Sequence, residues 1–290
     1  MPVSTMAVGA ALNPVVTEMT TRRLLAFAAG IEESSELLLD DTNPGFHAAP
    51  QICVALEWAL MLNNDSPEDI GLSREEALRA LHALQDTEFL CPVKPGERLT
   101  TQGEIVAIWP GRSGTNMAYT LVTSGENGAP VSRTHMQSTF LAVAMDGEPF
   151  PLDPKPAVPK IEESLADSHE FKIPIARTLP HIFSECADIW NPIHTERAVA
   201  KSAGLPDIIL HGVATWSIAG RELTHRLGGG DTRKLKRLRG RMGAMVRPGT
   251  MLTLKAKSVL DGTTRRVTFS ILTPQGEPAI RDGYAEFTDQ

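Results

Sequence analysis

The stretches VKPGERLT (93–100) and VRPGTMLT (246–253) share one skeleton: valine, a base, Pro-Gly, two free positions, then Leu-Thr. Each opens strand-like text, LTTQGEIVAIW (99–109) after the first and MLTLKAKSVL (251–260) after the second. A second alternating run follows in both places, MAYTLVTS (117–124) and RRVTFSIL (265–272). A turn comes next, ENGAP (126–130) or PQGEP (274–278), and then a last run, VSRTHMQSTFLAV (131–143) or AIRDGYAEF (279–287). Alternation between turn signals marks antiparallel strands with one buried face. One matched octamer carries little weight, but the same order of turns and strands twice over reads as an internal duplication.

Upstream of each strand block lies an apolar helical segment, APQICVALEWALML (49–62) and HGVATWSIAGREL (211–223). Both are too apolar for a surface helix, so each is expected to be wrapped by its own sheet, with Trp58 and Trp216 in the core. MDGEPFPLDPKPAVPKIEES (145–164) holds five prolines and reads as a stiff extended linker. The chain then divides into a first repeat (1–144), the linker (145–164) and a second repeat (165–290). That is an α+β arrangement of two antiparallel sheets, each around a helix. NNDSPEDIGLSREEALRAL (63–81) reads as an insertion with a capped helix led by Ser73, lengthening the first copy's helix-to-strand connection.

With 290 residues, 42% apolar and 22% charged, the composition is that of a soluble globular protein. A net charge of −7 speaks against non-specific nucleic-acid binding. Cys53, Cys91 and Cys186 are odd in number and show no C-x-x-C spacing, so neither a disulfide framework nor a zinc site is expected. No window approaches the roughly 18 apolar residues of a membrane span, and residues 1–20 lack a positive leader region. These features set the expectation of a soluble, cytoplasmic protein that binds neither nucleic acid nor membrane.

CADIWNPIHTE (186–196) gathers an acid, an amide, a proline and a histidine. Asn191 is a favoured helix N-cap and Pro192 a favoured first helical residue, while Gly204 and Pro206 supply a stop. A capped helix start needs no catalytic role. The same geometry also puts His194 in the first turn, where orphan N–H groups and the dipole disfavour an imidazolium. A neutral imidazole near pH 7 can take a proton from water, as a general base does. Asp188 and Asn191, six and three residues upstream, converge with it on one water if the loop folds back.

The layout, with NPIH (191–194), LPDIILHG (205–212) and RPGTMLTL (247–254), resembles the MaoC-like, R-specific enoyl-CoA hydratase family of double hot-dog proteins. In that family a Gly-Asp-x-Asn-Pro-(Ile or Leu)-His motif precedes an Ile-Leu-His-Gly turn that opens the central helix. The resemblance implies reversible hydration of a trans-2-enoyl thioester to the (3R)-hydroxyacyl thioester. It also implies that the backbone N–H of Gly212 is the oxyanion donor and that coenzyme A enters only as part of the substrate, with no cofactor or metal. Acyl carrier protein is the other thioester carrier considered, and the assembly expected is a homodimer or a pseudo-dimeric monomer. The first copy looks like the family's silent repeat, because its nearest counterpart, DTNPGFHAAP (41–50), has its histidine one residue late.

The family's aspartate falls five residues before the histidine, where this chain has Ile189; Asp188 is one place early. Either the loop bulges and Asp188 still reaches the water, or Asn191 orients it, helped by Glu185. Trp190, in the variable slot, is a candidate to flank the acyl chain. RKLKRLRGR (233–241), six bases in nine residues, reads either as a solvated strand face or as a phosphate site using Arg239 and Arg241. GGGDTR (228–233) is a flexible turn, since no Gly-Lys-Ser/Thr follows it. A thioesterase and a non-catalytic thioester-binding subunit are the alternative functions. A degenerate first copy, within this resemblance, fits a widened tunnel for a bulky acyl group.

Overall fold

Gly96 and Gly249, in the two Pro-Gly turns, both take positive φ, 85° and 77°. Glycine enters that region without strain, which is why the turn chemistry repeats. Each N–H returns to the edge-strand segment of its own copy, Gly96 to the carbonyl of Met19 and Gly249 to that of Ile175. The duplicated turn thereby closes a duplicated hairpin set.

The computed structural model describes residues 2–64, 72–77, 79–152 and 156–288. The first copy holds strands β1 (Val3–Ser4), β2 (Ala11–Glu18), β3 (Ala80–Phe89), β4 (Arg98–Gly111), β5 (Gly114–Ser124), β6 (Pro130–Leu141) and β7 (Met145–Asp146). The second holds β8 (Asp167–Ile175), β9 (Leu235–Met242), β10 (Thr250–Asp261), β11 (Thr264–Leu272) and β12 (Pro278–Thr288). The helices are α1 (Thr21–Gly30), α2 (Glu36–Leu39), α3 (Cys53–Asn63), α4 (Arg74–Ala77), α5 (Leu179–Ala187), α6 (Arg197–Ser202) and α7 (Gly212–Arg226). Among the described residues no helix is long and apolar enough to cross a membrane.

The two expected sheets, β2-β4-β5-β6-β3 and β8-β10-β11-β12-β9, join edge to edge through β3 and β9 as one ten-stranded antiparallel sheet. The double hot-dog, α+β layout is therefore the observed one. The apolar helices α3 and α7 bury residues on most of their circumference, and Trp216 of α7 is fully buried. It packs on Gly240 of β9, where an added Cβ would come within 3.1 Å of its ring. Burying an aromatic or large aliphatic side chain contributes about 1.5–3 kcal/mol, so these helices anchor the core. On the same side α1 packs on α5, with Phe27 edge-on to Phe183 at 6.2 Å.

At the seam, Asp86 faces Arg239, Gln85 faces Gly240 and Thr87 faces Leu238. Asp86 stands seven residues before Val93, and Arg239 seven before Val246. The local two-fold relating the copies therefore passes between Asp86 and Arg239. Here the basic run resolves into two faces. Leu235, Leu238 and Gly240 turn to the core, while Arg237 and Arg239 turn to the outer face and the buried carboxylate of Asp86. Arg237 donates twice to Asp86, at 2.8 Å each, and once to Ala157 O of the linker at 2.9 Å. Arg239 Nε lies 3.3 Å from Asp86, within charge attraction but out of line for a hydrogen bond.

Two expected segments differ in detail. Met145–Asp146, inside the stretch read as linker, pairs in parallel with Val3–Ser4, and Phe150 bridges to Ile108, so the first copy holds the linker's beginning. The helix expected in 63–81 is the four-residue α4, opened by a capping box in which Ser73 and Glu76 bond reciprocally. The stretch then passes into β3 at Ala80, while residues 65–71 and 78 lie outside the described residues.

Asp86→Ala is expected to destabilise the fold by about 2–4 kcal/mol, because it leaves two partly buried guanidinium groups without their shared counter-charge. The combined change Asp86→Leu, Arg237→Met and Arg239→Leu is expected to cost less, since it removes the desolvated charges together. Denaturation midpoints of the two variants check this order.

Candidate active site

Helix α5 ends at Ala187, and Asp188 caps it in the left-handed region at φ 58°. This reversal sets every side chain that follows. The Asp188 carboxylate swings outward to Arg23 of α1, 3.0 Å away, and its side chain is 81% exposed. Ile189 turns inward, 4% exposed, and presents its carbonyl to the interior. Trp190 stands 54% exposed. Asn191 then caps the next turn, its Oδ1 accepting from Ile193 N–H at 3.3 Å.

That turn corrects the expected continuous helix. Pro192–His194 form one 3-10 turn, the chain is extended again at Glu196, and α6 begins only at Arg197. The Thr195 carbonyl accepts from His181 Nε2 at 3.1 Å instead of a helical N–H. The helix expected to begin at His194 is therefore not there to set its protonation.

Burial governs it instead. His194 Nδ1 lies 2.8 Å from Ile209 O. A carbonyl only accepts, so Nδ1 carries the proton and Nε2 holds a lone pair. Nε2 has no protein partner among the described residues. The ring stacks on His211, with centroids 3.6 Å apart and planes 27° apart. Desolvation pushes the His194 pKa down to about 4, against the raising effect of the Ile209 bond.

His211 is buried, donates Nε2–H to Ile189 O at 3.1 Å and sits 3.2 Å from Ser184 Oγ. Its Nδ1 is buried without a partner. Desolvation first, and the neighbouring His194 second, bring its pKa down to about 2. Both rings are neutral at pH 7.

Gly212 follows His211 and is the first residue of α7, so its N–H has no intrahelical acceptor. An added Cβ there would lie 2.9 Å from Met242 Cγ, which shows how tightly β9 closes on the helix start. His194, His211 and Gly212 thus sit together at the N-terminus of a fifteen-residue helix. Asn191 stands three residues from His194 with its Nδ2 uncommitted among the described residues.

Other candidates fall elsewhere. Asp188 is held by Arg23, Glu185 is exposed, and Arg239 and Arg241 lie on the outer sheet face with Asp86, Asp282 and Gln137. Sequence reading missed His211 as part of the stack, although its LHG context marked the position. Among the described residues no three His, Cys, Asp or Glu side chains gather as metal ligands.

The first copy allows a direct comparison. Ala48 N–H donates to Val93 O and Leu210 N–H to Val246 O, both at 2.8 Å, which aligns the two helix starts. Pro50 then occupies the place of Gly212 and has no N–H to offer. His47 has both nitrogens bonded, Nδ1 to Gly45 O and Nε2 to Thr232 Oγ1.

A MaoC like domain matches residues 169–271, and a FAS1-like dehydratase domain region matches residues 6–132. The 3-hydroxyacyl-thioester dehydratase Y of Mycobacterium tuberculosis is 25% identical over 257 residues, 87% of each chain. Enoyl-CoA hydratase ChsH3 of the same organism is 23% identical over 94% of each chain. The crystal structure of a MaoC-like dehydratase from Phytophthora capsici matches with a TM-score of 0.79 at 22% identity over 98% of both chains, a likeness of fold.

The depressed histidines carry a stability consequence. Between pH 6.5 and about 4 the unfolded chain binds protons that folded His194 refuses, so stability falls as pH drops through that window. His194→Asn is expected to flatten part of that fall, measured as unfolding free energy at pH 7 and pH 5.

Proposed function

We propose that this chain, similar in its two halves to a MaoC like domain and a FAS1-like dehydratase region, is a double hot-dog hydro-lyase that adds water reversibly to a 2-enoyl thioester with His194 as base. The (3R)-hydroxyacyl thioester is the product in this reading. The observation that carries it is the His194 tautomer, with Nδ1–H spent on Ile209 O and the Nε2 lone pair open beside the start of α7.

The thioester oxygen accepts from Gly212 N–H, where the positive end of α7 favours developing negative charge. Water attacks C3 as His194 Nε2 takes its proton, and the electron pair moves through C2 onto the carbonyl oxygen. The resulting imidazolium, in a site that disfavours charge, returns the proton to C2 and restores the thioester. Dehydration is the same path reversed. Asn191 Nδ2–H orients the water, and His211 stacks behind the base and fixes its ring. No carboxylate is required, which fits Asp188 being held by Arg23 and Ile189 occupying the acid's usual place.

Coenzyme A is the thioester carrier proposed. Of the two arginines considered for its phosphates, Arg241 has more capacity left. It lies 3.7 Å from Asp282 and 3.4 Å from Gln137 Oε1, whereas Arg239 is committed to the seam. The first copy is structural in this reading, since Pro50 and the doubly bonded His47 can neither donate to an oxyanion nor accept a proton.

Incubation with trans-2-decenoyl-CoA is expected to remove the enoyl absorbance without releasing thiol. Thiol release would mean hydrolysis, and silence in both would mean a binding role. His194→Ala is expected to lose about 10²–10⁴-fold in kcat. Gly212→Pro, which deletes the N–H as Pro50 does, is expected to lose about 10²–10³-fold. Gly212→Ala, with the same Cβ but the N–H retained, is expected to lose much less. Asp188→Asn is expected to stay within about twofold of wild type, in line with an exposed ion pair of small effect.

A further inference from the structure

A cavity of about 540 Å³, its open mouth included, lies at the start of α3. The alignment that sets Pro50 on Gly212 also sets Phe89 on Met242, each four residues before its valine, Val93 or Val246. These first-copy residues all line the cavity. The cavity is therefore the first copy's version of the space in front of α7, with the same strand and helix walls.

Its chemistry differs from its shape. Ile52, Leu56, Phe89, Val93, Val131 and Leu235 make the wall apolar. Pro50 offers no donor, and His47 is bonded at both nitrogens. At the rim, Arg233 is paired bidentately with Asp231, so its charge is already answered. Lys236 also lines the cavity and makes one described bond, to the Arg233 carbonyl at 3.1 Å, which leaves its positive charge uncompensated. Cys53 lies buried in the wall, while Cys91 lines the same space and is exposed.

We propose that this cavity is a second acyl site that binds without turnover, holding an aliphatic acyl chain inside and its anionic carrier or carboxylate at Lys236. An apolar wall with one cation at the rim suits an amphiphile of one charged end. The ligand class rests on the thioester reading of the second copy. The site itself rests on the cavity and the local two-fold. A chain that keeps the walls of a duplicated pocket after losing its donor and base retains shape without chemistry, and shape alone suffices for binding.

Cys91 supplies a readout independent of turnover. In the wild-type protein its alkylation by iodoacetamide, followed by mass spectrometry of the Cys91 peptide, is measured with decanoyl-CoA, with decanoate and with neither. Decanoyl-CoA is saturated, so it is no substrate for hydration. Protection of Cys91 by tenfold or more with both probes assigns the chain plus any anionic head, and protection by decanoyl-CoA alone assigns the thioester. Cys91 unprotected by either probe overturns the proposal. Equilibrium dialysis is expected to give two equivalents of decanoyl-CoA for wild type and one for Val131→Trp, whose indole fills the cavity, with decenoyl-CoA turnover unchanged. One equivalent bound by wild type also overturns it. If hydration is absent while Cys91 is protected, the thioester-hydratase reading fails and this site stands.

Discussion

The buried carboxylate of Asp86 between Arg237 and Arg239 is the constraint on which the arrangement of the two copies depends. It sits at the local two-fold, where β3 and β9 run antiparallel. In an assembly of two identical copies the residue at such a position faces itself, and a charge there would meet its like. Duplication within one chain lets an acid in one copy face a base in the other. The seam then tolerates a desolvated cluster whose attraction offsets the cost of burial only while all members are present. Everything on the core side inherits this registration, including the edge-on contact of Phe27 with Phe183 and the approach of Gln51 at the start of the first copy's central helix to Gly220 of α7.

With that frame set, the copies diverge at equivalent points. Helices α1 and α5 both lead into a left-handed acidic residue, Glu32 at φ 56° and Asp188 at φ 58°. The residue after it is Glu33 in the first copy and Ile189 in the second. Glu33 is buried, accepts from the N–H groups of Ser34 and Ser35, and pairs with His225 of α7 at 2.6 Å. An acid thus survives at this position only in the copy that lacks the open histidine. Conversely, the second copy keeps Gly212 and His194 but buries an isoleucine there. The two copies thus carry different groups at equivalent positions, and the base sits in an apolar surrounding that holds it neutral.

Much of this was legible locally. The Pro-Gly turns, the alternating runs β4, β5, β6, β10, β11 and β12, and the two apolar helices all announce themselves by short-range pattern. Less visible were β3, whose position at the seam covers it on both faces, and β2, where Asn13-Pro14 interrupts the run and a register shift follows Leu12. Strand β8 hides behind polar residues suited to an edge. Helix α1, capped by Thr20, packs on α5, a partner about 150 residues away that no local pattern announces.

The sequence by itself determined the duplication, the turn positions, the helix that begins at Gly212 and the residue types at the site. Those follow from φ preference, hydrophobic period and capping chemistry, all decided within a few residues. Tertiary structure alone decided that Asp188 faces Arg23, that Ile209 fixes the tautomer of His194, that His211 lies beneath that ring, and that the arginine run answers Asp86. These depend on a single left-handed residue redirecting the chain and on partners distant in sequence. Burial and charge act through space, where local pattern has no reach.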